Sequence, residues 1–299
     1  MILNPEARGV TPAIARVVEA ALEGRFKLDT TTTHARDAAV QVARDAAGSG
    51  VDLIVAFGGD GLVNEVVNGM ATGHEQDRPA LAVIPGGTMN VFARNHGLPK
   101  DPLDATDLIL QRSDDFRTKK VKLGKVNERY FTFVFGAGFD AEAAARVEEH
   151  KTTKRRFGEP YFFAAALATF MNSYFTKKPF MTVETPQGRS EAVMAIALTG
   201  PTYAYLAGRP IHLTGKPRSD PSGLDLFVLN RLRYSRLPTY ATGALFSGRF
   251  GKESSCHLNL ERTTITGDAP FAVHVDGEPL PRVASAEVSM SDVSIDLLV

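Results

Sequence analysis

The stretch VDLIVAFGGDGLVNEVVN, residues 51–68, decides the fold predicted for this chain. Its apolar run from Val51 to Phe57 has the length and β-branched character of a buried strand. The glycines of GGDG, residues 58–61, then allow tight backbone that side chains would block. Apolar residues return at helical spacing over 62–67. Backbone N–H groups and the positive end of the helix dipole therefore meet at this turn and form a seat for phosphate.

One acid, Asp60, lies inside this turn. Glycines alone would favour a plain strand-to-helix connection. A carboxylate repels a bound phosphate, unless a metal ion or a substrate hydroxyl that needs a base accounts for it. Asp60 therefore favours a functional site over a merely structural turn.

The bulk composition limits the classes of function. A chain of 299 residues predicts two domains, and its formal net charge of +0 gives no global field for binding nucleic acid. The single cysteine, Cys256, excludes a disulfide within the chain and is typical of a reducing cytoplasm. The start MILNPEARG lacks the features of a signal peptide. The longest apolar stretch, residues 161–171, is too short to span a bilayer, which predicts at most peripheral contact with the membrane.

Strands and helices alternate over the first 115 residues, which predicts a parallel sheet with helices on both faces. Four loops follow the carboxyl ends of its strands, where open α/β sheets bind ligands. They are Asn4 to Gly9, Thr32 to His34, Gly58 to Gly61 and Gly86 to Thr88. We expect all four to meet along one edge.

Strands dominate from Phe116 onward, and many of them alternate apolar and polar residues as sandwich strands do. The predicted fold class is therefore α/β plus β, with an N-terminal α/β nucleotide domain and a C-terminal β-sandwich-like domain. We place the first domain at residues 1–115 and the second at 116–285. One or two final strands, about 286–299, are predicted to return to the first domain.

Four motifs occur in order along the chain: GGDGLVNEVVNG (58–69), PGGTMN (85–90), GAGFDAE (136–142) and HVDGEPL (274–280). In this order and spacing they resemble the diacylglycerol kinase-like catalytic family, which includes bacterial lipid kinases and the sphingosine and ceramide kinases. The likeness extends over essentially the whole chain, starting from Asn4-Pro5. It implies a nucleotide domain of the NAD kinase and diacylglycerol kinase type, with ATP and Mg²⁺ as cofactors.

The resemblance implies that ATP lies between the two domains and is held by the loops of the first. The implied nucleotide contacts are Asn4, Pro5, Arg8, Thr32, Gly58, Gly59, Asp60, Gly61, Asn64, Gly87 and Thr88. The family usually has a glycine where Arg8 stands here. Arg8 is therefore either a phosphate contact or a solvent-facing arginine.

Phosphoryl transfer to an alcohol needs a base near the attacking hydroxyl. The resemblance implies that Asp276 and Glu278, on either side of Gly277, are that base and its partner. Asp60 is the third candidate base, or binds the Mg²⁺ carried by ATP. The sequence leaves the choice open, and we favour the Asp276/Glu278 pair.

Asp140 and Glu142 stand in the first turn of a predicted helix, where acids favour the helix dipole. We interpret them as structural, or as supports for the residues that contact the substrate. His274 shares a strand face with Asp276. This histidine either helps to orient the site or is incidental, and we favour the second interpretation.

Three acids expected in the fullest members of the family are missing here. Val91 and Lys122 replace two of them, and Pro221 follows Asp220 in a turn that elsewhere holds a structural Mg²⁺. Asp220 alone is a poor metal site. The sequence therefore predicts that the structural metal is absent, while Mg²⁺ bound to ATP is still expected.

The apolar segment 161–171 is predicted to be a helix, either buried in the core or lining a pocket for acyl chains. Basic residues flank it at 151–156 and 177–178. They are either solvated loops or contacts to anionic headgroups, worth about 1 kcal/mol per basic residue at such a surface.

We predict a cytoplasmic lipid kinase that works at the inner face of the membrane and phosphorylates diacylglycerol to phosphatidic acid. A sphingoid or other lipid alcohol is the next acceptor. The remaining alternatives are an NAD kinase-like enzyme and a lipid-binding relative with weak activity. The resemblance also suggests a homodimer.

Overall fold

The computed structural model describes residues 1–73, 75, 78–149, 159–169, 171, 174, 177–206, 208–215, 222–243 and 250–299. The chain forms two compact units. The first contains residues 1–123 and 292–299, and the second contains residues 124–291.

The first unit alternates strands and helices. Its strands are β1 (Ile2–Leu3), β2 (Thr31–Thr32), β3 (Leu53–Gly58) and β4 (Ala80–Pro85). Its helices are α1 (Pro12–Glu23), α2 (Ala38–Gly48), α3 (Asp60–Met70), α4 (Val91–Asn95) and α5 (Pro102–Gln111). The strands pair in parallel in the order β2-β1-β3-β4. This is the parallel sheet that the sequence predicts.

Local sequence signals explain where these helices begin. Thr11 caps α1 by accepting a hydrogen bond from the Ile14 amide at 3.2 Å, and Pro12 occupies the first turn, where its missing N–H costs nothing. The buried face of α1 places Val18 and Leu22 in a core with Phe57 of β3.

The second unit is rich in antiparallel strands. They are β5 (Thr118–Val126, which starts in the first unit), β6 (Arg129–Phe131), β7 (Val134–Gly138), β8 (Met181–Thr185), β9 (Gly188–Ala192), β10 (Met194–Leu198), β11 (Ala204–Leu206), β12 (Arg209–Ile211), β13 (Leu224–Leu229), β14 (Ser254–Leu260), β15 (Arg262–Val275) and β16 (Glu278–Leu298). Its helices are α6 (Phe139–Glu149), α7 (Glu159–Thr169) and α8 (Leu237–Thr242), with a 3₁₀ turn at Tyr234–Arg236.

The strands that carry the later motifs lie side by side in this unit. In the strand order β14-β13-β10-β7-β15-β16, strand β7 lies directly against β15. Strand β7 ends just before Asp140, and β15 carries His274. Phe135 of β7 and Phe271 of β15 pack into the core together with Phe131 of β6. The last residues of β16 join the first unit, where Leu297 pairs in parallel with Leu81 of β4.

Helix α7 covers most of the predicted apolar helix. Ala165 and Thr169 are buried, whereas Leu167 is 53% exposed; Met171, which lies beyond the end of the helix, is 52% exposed. The helix is therefore not buried on all sides. Among the described residues, no helix combines the length and the apolar character that crossing a membrane requires.

His96, just after α4, should make the stability of the protein depend on pH. Burial, and secondly the nearby Lys119 ammonium, lower the pKa of His96 from its ordinary value of 6.5 to about 4. The unfolded chain therefore binds a proton between pH 6.5 and 4 that the folded protein does not. We expect the free energy of unfolding to fall by up to about 3 kcal/mol as the pH drops through this window.

Urea unfolding of the wild type and His96→Leu at several pH values measures this effect. The variant should lose most of the slope between pH 6.5 and 4. His34→Leu, which removes an exposed histidine of the same unit, is the control and should keep the slope. An unchanged slope in His96→Leu would contradict the assignment.

Candidate functional site

The loops after the parallel strands meet along one edge of the first unit. The register pairs Leu3 with Thr32 and with Phe57, so the strands end at the same level. The Gly9 amide donates to the Gly86 carbonyl at 2.7 Å, and the Gly86 amide donates to the Gly58 carbonyl at 2.7 Å. Three separate loops are therefore joined by backbone hydrogen bonds into one surface.

Glycine is required where the two glycine loops approach each other. A side chain on Gly87 would place its Cβ 2.6 Å from the Gly59 Cα and 2.7 Å from the Asn90 Oδ1. Asn90 itself has a left-handed backbone (φ 47°), and its amide side chain bonds both the N–H and the carbonyl of Gly87 at 2.8 and 3.0 Å. Asn90 of the PGGTMN motif thus stabilises the conformation of the loop that faces GGDG.

Asp60 has a structural partner that the sequence does not predict. One of its carboxylate oxygens accepts the Val91 amide and the other accepts the Phe92 amide, each at 3.0 Å. These are orphan N–H groups at the start of α4, and a carboxylate is their natural cap. This role explains an acid in the phosphate-shaped turn without a metal. Its predicted roles as base, nucleotide contact and metal ligand stay predictions.

The other predicted nucleotide contacts differ in exposure. Arg8 and Thr32 are exposed and Gly58 is buried. The half-buried ones are Asn4, Pro5, Gly59, Gly61, Gly87 and Thr88. All of them except Thr32, which belongs to β2, lie in the joined loops described above.

Asn64 needs a correction. Its side chain is fully buried inside α3 and accepts a hydrogen bond from the Asn68 Nδ2 at 3.1 Å. A side chain with no exposed surface cannot touch a nucleotide in this conformation. Asn64 belongs to the packing of the helix behind the loop.

In the second unit, Asp276 and Gly277 form a two-residue hairpin turn between β15 and β16. Val275 pairs with Glu278, and both turn residues have positive φ, 51° and 83°. This is the backbone that type I′ turns require and that Asp-Gly favours. Asp276 is only 5% exposed. Acidic residues are common at hairpin tips that face solvent, but this one is buried, so its presence needs another explanation.

The Asp276 carboxylate is held by four donors from one segment. Oδ2 accepts the Thr132 amide at 2.7 Å and the Thr132 hydroxyl at 2.9 Å. Oδ1 accepts the amides of Phe133 and Val134, each at 3.0 Å. Four donors stabilise the ionised form and leave little accepting capacity for a substrate hydroxyl. The geometry favours an anchoring role over the predicted role as base.

Glu278 is the better placed member of the predicted pair. It begins β16 directly after the turn and is half-buried. The hairpin turn sets the position of Glu278, and Asp276 in this turn accepts hydrogen bonds on both of its carboxylate oxygens. Among the residues first considered as base, we therefore favour Glu278.

Asp140, interpreted from sequence as structural, lies in a buried polar cluster with His274 and Tyr203. The His274 Nε2 lies 2.6 Å from the Asp140 Oδ2, and the Tyr203 hydroxyl donates to the Asp140 Oδ1. Burial first, and the Asp140 carboxylate second, raise the pKa of Tyr203 well above its ordinary value of 10. The sequence favoured an incidental His274, but the structure places its ring nitrogen against a buried carboxylate.

The described residues do not fit a metal site built from protein ligands alone. No group of three or more histidine, cysteine or acidic side chains among them could hold a metal ion. Asp60 uses both oxygens to cap α4. Asp220 and Pro221 lie outside the described residues.

Sequence reasoning missed Thr132, Tyr203 and the pairing of Asp140 with His274. Each of these partners is more than 60 residues from the group that it bonds. The one local signal was the alternation that places His274 and Asp276 on the same face of a strand.

Solved structures with the same arrangement define the class of fold. A diacylglycerol kinase from Bacillus anthracis str. Sterne matches with a TM-score of 0.69 at 24% identity, over 99% of this chain and 94% of that one. An NAD kinase from Archaeoglobus fulgidus, solved in complex with ATP, matches with a TM-score of 0.53 at 12% identity, over 100% and 92%. The fold is thus the one shared by diacylglycerol kinases and NAD kinases, and the predicted fold class is confirmed.

Sequence comparison finds similar proteins for the first part of the chain. Residues 1–126 match the family model of the diacylglycerol kinase catalytic domain. A diacylglycerol kinase of Bacillus subtilis (strain 168) is 38% identical over 126 residues, which are 42% of this chain and 40% of that protein. A YegS-like lipid kinase of Chromohalobacter salexigens is 32% identical over 142 residues, 48% of this chain and 44% of that protein. The resemblance that the motifs predict is therefore confirmed for residues 1–126, which match the diacylglycerol kinase catalytic domain. The matched stretches span less than half of either relative.

Proposed function

We propose that this chain transfers the γ-phosphate of ATP to the hydroxyl of a lipid, with diacylglycerol as the first candidate acceptor. One observation carries the proposal: residues 1–126, which match the diacylglycerol kinase catalytic domain, contain the whole joined loop surface at 4–9, 58–61 and 86–88. The positive end of the α3 dipole lies at this surface. Anionic phosphates suit such a seat.

In the proposed reaction Glu278 acts as the base. Its carboxylate takes the proton of the lipid hydroxyl while the hydroxyl oxygen attacks the γ-phosphorus, and ADP leaves. Mg²⁺ belongs to the proposal as the ion carried by ATP, where it neutralises charge on the phosphates. Such an ion needs only one or two protein carboxylates.

Lipid as the acceptor is supported by exposed apolar side chains at the end of α7 and just after it. Leu167 and Met171 are four residues apart and half exposed, and Lys178 beyond them is exposed. Apolar side chains with nearby cations suit an anionic membrane surface. Peripheral binding to the inner face of the membrane and a homodimer remain part of the proposal.

Three alternatives remain, and two of them have a specific observation in their favour. A sphingoid or other lipid alcohol would use the same loops and the same base. The likeness to an NAD kinase fold favours an NAD kinase-like enzyme. The missing acids at Val91 and Lys122 favour a lipid-binding relative with weak activity.

A transfer assay with γ-labelled ATP, extracted lipids and NAD as a parallel acceptor tests the proposal. Label in a lipid is the expected result and identifies the acceptor. Label in NADP would establish the NAD kinase-like alternative instead. ATP binding without any transfer would favour the weak relative. Lys122→Asp would then be the first substitution to test for a gain of activity, because Lys122 is exposed. Val91 is 2% exposed, so an aspartate at that position would be a buried charge.

A further inference from the structure

His274 is attached to the Asp276–Gly277 turn by a hydrogen bond of defined direction. The Gly277 amide donates to the His274 Nδ1 at 3.2 Å. A backbone N–H can only donate, so Nδ1 accepts and carries no proton. The single ring proton is therefore on Nε2, which donates to the Asp140 Oδ2 at 2.6 Å.

The hydrogen bond between His274 and Asp140 is buried. His274 is 3% exposed and Asp140 is 4% exposed, so each polar group needs a partner inside the protein. Tyr203 supplies the second donor to Asp140. The backbone makes room for the pair at Gly136, where an added Cβ would lie 2.2 Å from the His274 Nε2 and 2.3 Å from the Asp140 Oδ2.

The turn is thus held from two sides. The Asp276 carboxylate fixes its first residue to the 132–134 segment, and His274 fixes the amide of its second residue. Glu278 follows at once, so any rotation of the Gly277 peptide moves the Glu278 carboxylate. Both anchors lie on β15 or its turn and hold partners that are distant in sequence.

We infer that His274 is a positioning residue, which uses Nδ1 to set the Gly277 peptide and thereby the orientation of the Glu278 carboxylate, with Asp140 and Tyr203 fixing the required tautomer. The inference rests on the proposed function for its kinetic consequence. A displacement of about 1 Å in a reacting group can cost about 100-fold in rate. Losing the Nδ1 contact should therefore lower kcat by about 10- to 100-fold.

Two variants of His274 separate its two hydrogen bonds. Asparagine can place its amide oxygen where Nδ1 accepts from Gly277, but it does not reach Asp140. Glutamine can place its amide nitrogen where Nε2 donates to Asp140, but it offers no acceptor at the Nδ1 position. Glutamine should therefore lower kcat about 10- to 100-fold, and asparagine should restore most of this loss. The KM for ATP should change less than kcat in both.

The matched controls are His257→Asn and His257→Gln, at a histidine of β14 in the same unit. Both should keep the kcat of the wild type. Thermal melts of all four variants report loss of folding separately. Wild-type kcat in His274→Gln, or the same loss in His274→Asn as in His274→Gln at matched stability, would overturn the inference.

Two measurements do not need kinase activity, so they test the network even if the proposed function is wrong. ¹⁵N NMR of labelled histidine in the wild-type protein should show His274 with a protonated Nε2 and a bare Nδ1. Hydrogen exchange of the Gly277 amide should be slow in the wild type and in His274→Asn, and faster in His274→Gln. A protonated Nδ1, or a Gly277 amide that exchanges equally fast in all three proteins, would overturn the inference.

Discussion

Glu278→Gln is expected to lower phosphoryl transfer by about 100- to 10,000-fold, because general-base catalysis contributes about this much and an amide cannot take the proton. Glutamine has the same shape, and Glu278 is half-buried at the start of β16, so the fold should stay intact. The predicted nucleotide loops belong to the first unit. Affinity for ATP should therefore stay within a few-fold of the wild type.

Single-turnover transfer from labelled ATP measures the chemical step, and isothermal titration calorimetry measures the affinity for ATP. Glu287→Gln, an exposed glutamate on the same strand, is the matched control and should behave as the wild type. Near-normal transfer by Glu278→Gln would exclude Glu278 as the base. Asp60 would then be the next candidate.

Asp276→Asn is expected to lower the stability of the second unit by about 3 kcal/mol, the range for loss of hydrogen bonds to a buried charge. The four donors of residues 132–134 leave no good place for an amide NH₂. On the Oδ1 side it would face two amides. On the Oδ2 side it would face the Thr132 amide, although the Thr132 hydroxyl could turn and accept.

For a unit of this size, such a loss corresponds to a fall in melting temperature of about 10 °C. Differential scanning calorimetry measures it, with Asp268→Asn, an exposed aspartate on the same strand, as the control. Activity should fall as well, because the turn before Glu278 loses its first anchor. A variant that melts like the wild type but transfers no phosphate would instead support Asp276 as the base.

The two variants give opposite patterns, which distinguishes the two acids of the VDGEP motif. Glu278→Gln should lose transfer and keep its melting temperature, and Asp276→Asn should lose melting temperature first. The sequence treats these two acids as one pair. Their surroundings make them different: Asp276 is buried and accepts hydrogen bonds from three backbone amides and a hydroxyl, whereas Glu278 is half-buried just after the turn.

The amino-acid sequence by itself determined the features that depend on neighbours along the chain. Alternating strands and helices predicted the parallel sheet of β1 to β4. Glycines at 58–61 and 86–87 predicted loops at the carboxyl ends of strands, which meet along one edge. Each rests on backbone geometry or side-chain spacing within a few residues. Such properties can be read directly from the order of residues.

Only the tertiary structure decided what the polar side chains do. Asp276 bonds residues 142 to 144 positions away, Asp140 and His274 are 134 apart, and Asp60 caps a helix 31 and 32 residues further on. Residue spacing carries no information about such partners, because chain folding brings them together. A buried acid with four donors and a half-buried acid two residues later look alike in sequence, and burial and hydrogen bonding alone separate an anchor from a candidate base.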